Sequence, residues 1–164
     1  MRIQILARSF LCALAACLAQ VSVRAQAADV GLVVSTTGAR AGTLCATVNC
    51  AALPITVLRG GALTINVYGA INSPYLLALG TPTPSCTPIP GIANQMMLGP
   101  PILVFLAGTT LRPNAISVCL IGQDTLSLTV PANGAIGTLH LQGVVQSLRT
   151  ASPAFTPTLA VTIQ

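Results

Sequence analysis

Three segments in the C-terminal third of the chain alternate between apolar and polar residues. The segments are 125–130, 138–142 and 159–164. A period of two residues puts apolar side chains on one face of a strand and polar ones on the other, which is typical of an antiparallel sheet with one buried and one solvated face. His140 alternates with leucines, so we expect it on the solvated face.

Residues 55–59 and 62–68 are two further strand-like segments, and they flank the pair Gly60-Gly61. Leu63, Ile65 and Val67 alternate with polar or small residues in the second segment. Adjacent glycines supply the positive φ angles that a two-residue hairpin turn requires. The pattern therefore predicts a β-hairpin across Gly60-Gly61.

Continuous apolar runs at 74–79 and 102–107 indicate strands buried on both faces or at the centre of a sheet. Further strands are predicted at 29–36, 43–48 and 115–121, and residues 81–91, which hold four prolines and Cys86, predict a stiff surface loop. Turn residues recur about every 8–12 positions, as in sandwiches and barrels. We expect an all-β fold: a single antiparallel β-sandwich of about eight to ten short strands, following a helical signal segment.

The N-terminus has the three parts of a secretory signal. Arg2 and Arg8 are basic, residues 9–23 are apolar, and Ala25-Gln26-Ala27 is a small-x-small cleavage site. The apolar stretch is shorter than the roughly 20 residues that cross a bilayer. We therefore expect a signal peptide at 1–27, one domain at 28–164, and a secreted, periplasmic or cell-surface location.

A second cleavage signal overlaps the first. Leu14-Ala15-Ala16-Cys17 resembles the bacterial lipobox. Processing there would lipidate Cys17 and leave the protein anchored to the membrane, which is the alternative location.

Four cysteines remain after the leader: Cys45, Cys50, Cys86 and Cys119. In an oxidising compartment they predict two disulfides with three pairings open. We favour Cys45–Cys50 with Cys86–Cys119, because the first two are close enough to close a tight loop. A four-cysteine zinc site needs closely spaced pairs, and the intervening gaps here are 4, 35 and 32 residues.

Ionic groups are scarce, since charged residues make up 5% of the sequence, compared with about 25% in ordinary domains. After the leader, four arginines face two aspartates, so the formal net charge falls from +5 to +2 (four minus two). Scattered arginines form no basic stripe. We therefore expect no nucleic-acid partner.

Titratable groups for catalysis are equally few. His140 is the one histidine, and Asp29 and Asp124 are the two carboxylate residues. The sequence has no Gly-x-Ser-x-Gly elbow for a nucleophilic serine, no plausible glycosidase pair and no acidic cluster for calcium. We expect a protein that is not an enzyme and that holds no metal and no cofactor.

Binding is the remaining class of function. Tyr68 and Tyr75 flank one turn and form a candidate ligand patch; the alternative is that both rings support the core or the turn. The favoured function is a non-catalytic structural or interaction module of the cell envelope or extracellular matrix. Its partner would be a protein or glycan there, or a second copy of the chain. The reasons are that weakly charged surfaces repel each other little and that a free strand edge can pair with a strand of a partner. The alternative is a secreted module that binds a glycan or an apolar ligand.

A family resemblance rests on three motifs: Gly-Gly-x-Leu-Thr-Ile-x-Val at 60–67, Ala-Leu-Gly at 78–80 and Leu-Gln-Gly-Val-Val at 141–145. Together they resemble short exported β-sandwich proteins of unknown function in planctomycete-type bacteria. Many of those end in a Leu-Thr-Asn-Ala stretch, whereas this chain has Leu-Ala-Val-Thr at 159–162. The resemblance implies the fold and export and no particular chemistry.

Overall fold

The computed structural model describes residues 27–45, 50–113 and 122–164. The predicted signal segment up to residue 26, Cys17 and Cys119 lie outside the described residues. Within those ranges the chain forms eleven strands and no helix. The strands are β1 (Gly31–Ser35), β2 (Arg40–Thr43), β3 (Leu53–Val57), β4 (Ala62–Gly69), β5 (Ser73–Pro88), β6 (Gln95–Thr110), β7 (Arg112–Pro113), β8 (Gly122–Thr129), β9 (Gly137–Gln146), β10 (Pro153–Phe155) and β11 (Leu159–Ile163).

The strands form two sheets. The five-stranded sheet has the order β2-β1-β4-β8-β7, and the six-stranded sheet has the order β3-β11-β9-β5-β6, with β10 also paired to β9. Among the described pairings, β3 with β11 is parallel and the others are antiparallel. The expected all-β sandwich is confirmed. Its strands are less uniform than expected, because β5 and β6 each have 16 residues.

Apolar side chains from both sheets meet in one core. The five-stranded sheet contributes fully buried residues from β1 and β4, and the six-stranded sheet contributes them from β5, β9 and β11. They include Leu32, Val34, Ile65, Val67, Leu77, Leu141, Val145 and Leu159. Each stabilises the fold by about 1.5–3 kcal/mol relative to an exposed position. The alternation predicted for residues 62–68 is therefore confirmed.

The predicted hairpin across Gly60-Gly61 is wrong, although both of its strands exist. β3 pairs with β11, whereas β4 pairs with β1 and β8 in the other sheet. Gly60 does have a positive φ of 75°, and backbone bonds from Gly60 N to Val130 O and from Val130 N to Gly61 O hold this corner against the end of β8. The glycines permit a turn, and the pairing partners of each strand make it a crossover between sheets.

The predicted surface loop at 81–91 is also wrong in part. Residues 81–88 continue β5, paired with β6 through irregular register shifts. Pro82 and Pro84 do not end the strand, since a proline without an N–H is tolerated where the ladder is irregular. Most of this segment is solvent-exposed, as expected.

Candidate functional site

The far end of the β5–β6 hairpin, residues 81–99, folds back over the outer face of its own sheet; we call it the arm. Near its tip Ala93 pairs with Ala154 of β10, which lies on the opposite side of β9 from β5. The chain then returns across β9, where the Met97 carbonyl oxygen lies 3.1 Å from His140 Nδ1. The arm thus covers the part of the outer face that carries His140 and Gln142.

His140 is buried beneath the arm, so the prediction of a solvated histidine is wrong. Alternation gave the correct face, since Leu141 points into the core and His140 points outward. The face is covered by a segment from a distant part of the chain. Because a carbonyl oxygen only accepts hydrogen bonds, His140 Nδ1 is the nitrogen that bears the hydrogen, and it donates a hydrogen bond to the Met97 carbonyl oxygen.

Gln142 is the second buried polar side chain beneath the arm. Its Oε1 accepts a bond from Met97 N at 2.9 Å. Its Nε2 donates to Gln95 O at 2.9 Å and to Thr156 O at 3.1 Å. One carboxamide therefore joins the arm, β9 and the segment between β10 and β11.

A disulfide fixes the arm to the opposite edge of the sheet. Cys86 in β5 is bonded to Cys50, just before β3, with the two Cα atoms 5.8 Å apart. Cys45 is also disulfide-bonded, and its partner is neither of these two. The favoured pairings of Cys45 with Cys50 and of Cys86 with Cys119 are therefore both wrong, because the arm carries Cys86 across the sheet to the start of β3. Cys119 lies outside the described residues.

Tyr75 connects the two sheets through the core. It is 2% exposed, and its hydroxyl donates to Asp124 Oδ2 of β8 at 2.6 Å. Burial raises the pKa of Tyr75 well above its ordinary value, and the hydrogen bond and negative charge of Asp124 raise it further. A Cβ atom at Gly108 would clash with the Tyr75 hydroxyl, so glycine makes room for the ring.

Tyr68 lies elsewhere, on the outer face of the five-stranded sheet. It is 5% exposed and packs with Val33, Leu44 and Cys45. Burial raises the pKa of Tyr68, and the positive charge of Arg40 opposes that rise. The structure does not bring Tyr68 and Tyr75 together on the surface, so the candidate ligand patch does not form; both rings support packing.

Beyond the arm, the outer face of this sheet is open. A concavity of about 400 Å³ crosses β6, β5 and β9 there, within the roughly 300–1,000 Å³ range of small-molecule sites. Its outward-facing lining is apolar with one carboxamide. These residues are Pro74, Leu76, Ala107, Val144, Gln146 and Pro153. We call this the outer-face pocket, and its lining contains no charged residue.

β6 forms the edge of the sheet next to this pocket. No strand in the described part of the chain pairs with its outer side. Ile102, Leu103 and Val104 are exposed there, and no residue of β6 is charged. The prediction that 102–107 is buried on both faces or central is therefore wrong. The apolar run alone does not distinguish a central strand from an uncharged edge.

The titratable side chains are dispersed. Asp29 accepts bonds from Ser147 Oγ at 2.6 Å and from Arg149 N at 2.7 Å, Asp124 bonds to Tyr75, and His140 bonds to the arm. No three potential metal ligands cluster among the described residues. These residues also contain no helix with the length and hydrophobicity of a membrane span. The arrangement offers surfaces for binding, and the sequence reasoning missed them because it sought aromatic residues. The signal for them is the uncharged stretch 95–110.

The fold and these surfaces define a class: a two-sheet β-sandwich domain with an uncharged edge strand and an apolar outer-face pocket. No family model matches the chain, and no curated protein matches it.

Two solved structures give weak structural matches. One is a chitin-binding domain from Burkholderia pseudomallei, at 15% identity and a TM-score of 0.36, covering 66% of this chain and 56% of that one. The other is a cellulose-active polysaccharide monooxygenase from M. thermophila, at 15% identity and a TM-score of 0.36, covering 69% of this chain and 54% of that one. The chain thus spans little more than half the length of either structure, and likeness at this level carries no functional argument.

Proposed function

We propose that the protein is an exported, non-catalytic interaction module that joins a second copy of itself through the free edge of β6. The observation that carries this proposal is the uncharged, exposed stretch 102–104 on an edge with which no described strand pairs. Edge strands present free N–H and C=O groups. Proteins normally prevent pairing at such edges with charged residues, with prolines or by keeping the edge strand short. A disulfide-bonded domain suits an exported assembly.

The other three edges formed by the described strands carry such blocks. β2 bears the exposed Arg40, and the described residues of β7 are the exposed Arg112 and Pro113. β3 carries the exposed Pro54. β6 has Pro100 and Pro101, so pairing is confined to the part of the strand that follows them. β6 is therefore the edge best suited to accept another strand.

A second copy is the occupant that the charges favour. Two identical edges meet antiparallel around a two-fold axis, so residue i of one copy faces residue j of the other, and only groups near the axis face their own counterparts. Like charges would then oppose each other, and β6 has none. The residues from 28 onward carry a net charge of only +2, from four arginines and two aspartates, which adds little long-range repulsion.

Sedimentation velocity over a range of protein concentrations tests this proposal. We expect a monomer–dimer equilibrium that Leu103→Lys weakens at least tenfold, because the substitution places a positive charge from each copy on the shared edge, where a charged side chain blocks strand pairing. The matched control is Ile136→Lys in the loop before β9, since Ile136 is 66% exposed and Leu103 63%. A protein that stays monomeric at every concentration, or a dimer weakened equally by both variants, contradicts the proposal.

The outer-face pocket favours a second function, the binding of an apolar ligand. Its lining of prolines and aliphatic side chains offers few hydrogen-bond groups, which suits a hydrocarbon chain better than a sugar ring. Calorimetric titration with octyl glucoside below its micelle concentration, and with methyl glucoside, separates these chemistries. We expect only octyl glucoside to bind, with affinity lost in Leu76→Glu; equal binding of both compounds indicates a glycan site.

A further inference from the structure

We propose that signal peptidase cuts this chain between Ala25 and Gln26, so that Ala27 remains in the mature protein and completes its fold. The proposal rests on the predicted export signal and is independent of the proposed function. In this step water hydrolyses the peptide bond, leaving a carboxylate on Ala25 and an ammonium group on Gln26. The site at Ala25-Gln26-Ala27, which would end the leader after Ala27, is then not the one used.

Ala27 is built into the domain. It is 0% exposed and belongs to the main apolar core. Its N–H donates to Asn94 Oδ1 at 2.9 Å, and its carbonyl oxygen accepts from Asn94 Nδ2 at 3.2 Å. The side chain of Asn94 thus binds both backbone groups of a single residue, as a neighbouring strand would.

The burial and backbone conformation of Asn94 position its side chain for this contact. It is buried, and its φ of 61° lies in the left-handed region that non-glycine residues seldom occupy. Its Nδ2 also donates to Phe155 O at 2.7 Å. The carboxamide therefore joins the N-terminal segment, the arm and β10. Removal of Ala27 would leave Asn94 Oδ1 buried without its donor, which is costly in a desolvated site.

The residues that follow Ala27 are equally fixed. Val30 is fully buried, and buried Asp29 binds the turn after β9 through Ser147 and Arg149 N. A chain starting at Ala28 would place a new ammonium group beside this buried segment. Burying such a charge is unfavourable unless it gains a partner.

The sequence offers an acceptable site upstream. Val23-Arg24-Ala25 places small side chains at the two positions that signal peptidase reads. Cleavage there leaves Gln26 as the first residue, one position before the first residue bound by Asn94. Positions 23–26 lie outside the described residues.

Intact mass and the N-terminal tryptic peptide of the protein exported by an expressing bacterium test the site directly. We expect a chain starting at Gln26, with or without cyclisation of that residue. A start at Ala28, a lipidated start at Cys17, or a chain that keeps residues 1–25 overturns the proposal.

A thermodynamic cycle tests the physical reason behind the site. Chains starting at Gln26 and at Ala28 are compared by thermal unfolding, each with Asn94 and with Asn94→Gly, because glycine keeps the left-handed backbone while removing the carboxamide. We expect the Gln26 chain to melt several degrees higher with Asn94 and the difference to shrink markedly with glycine. Equal melting temperatures of the two Asn94 chains, or a difference that glycine leaves unchanged, overturn the role assigned to Ala27.

Discussion

The hydroxyl of Tyr75 provides a polar bond between the two sheets in a core that is otherwise apolar. Tyr75→Phe removes the donor to Asp124 Oδ2, which lies 2.6 Å away. Hydrogen bonds to charged groups contribute about 1.5–3 kcal/mol, and we expect a loss of that size in the free energy of unfolding, measured with urea at neutral pH. The control is Tyr68→Phe, because the Tyr68 hydroxyl bonds to no other described residue, and we expect little change there.

The same bond makes stability depend on alkaline pH. Burial first, and then Asp124, raise the pKa of Tyr75 in the folded protein, so the fold favours the protonated phenol. This contribution is complete below the unfolded pKa of about 10 and is lost as pH rises from there toward the folded value. Between neutral pH and pH values above about 10, Tyr75→Phe should therefore lose less stability than the parent protein. If the difference in unfolding free energy between the parent and Tyr75→Phe stays the same across that pH range, the raised pKa of Tyr75 is contradicted.

Among the elements, the arm depends most on a single residue, Gln142. Gln142→Met keeps the side-chain size but leaves Met97 N, Gln95 O and Thr156 O without their partners. Each buried, unsatisfied group costs about 1–3 kcal/mol. We expect a loss of about 3 kcal/mol or more in urea unfolding, with faster hydrogen exchange at the Met97 amide. Gln146→Met is the matched control, since Gln146 lies on the same face of β9 and is exposed; a similar loss in both variants would refute the role of Gln142.

The strands could be predicted from the sequence, whereas the strands they pair with and the segments that cover them could not. The alternation in 62–68 and 138–142 depends on local periodicity and gave the correct faces, including Leu141 inward and His140 outward. Whether an outward face meets water depends on what crosses it, and the arm that covers His140 comes from some 40 residues away in sequence. The hairpin predicted at Gly60-Gly61 is wrong for the same reason. A glycine pair allows the backbone to turn, but it does not determine which sheet the next strand joins.

For the whole molecule, the sequence predicted a two-sheet sandwich but not the site. Periodicity and turn spacing indicate how many strands form and which face of each strand is apolar. The outer-face pocket and the β6 edge arise from strand order, which depends on contacts between distant residues. Leu76 and Val104 look like core residues in sequence. Leu76 is exposed because the arm does not cover its part of the outer face, and Val104 is exposed on β6, which has no further neighbour among the described strands.

The Cys50–Cys86 bridge joins the two sides of the six-stranded sheet, so its loss should affect the whole molecule. The cysteines are 36 residues apart in sequence, and closing a loop of that length stabilises a fold by about 4 kcal/mol on the chain-entropy model. We expect Cys50→Ser combined with Cys86→Ser to lose stability of this order in urea while keeping the strand signal in far-ultraviolet circular dichroism, because neither residue belongs to the core cluster.

Ser85→Ala, an exposed neighbour in the arm, should unfold like the parent. Peptide mapping of the oxidised parent should recover Cys50 linked to Cys86; a Cys45–Cys50 peptide, or a double variant as stable as the parent, would show that the arm is held by its hydrogen bonds alone.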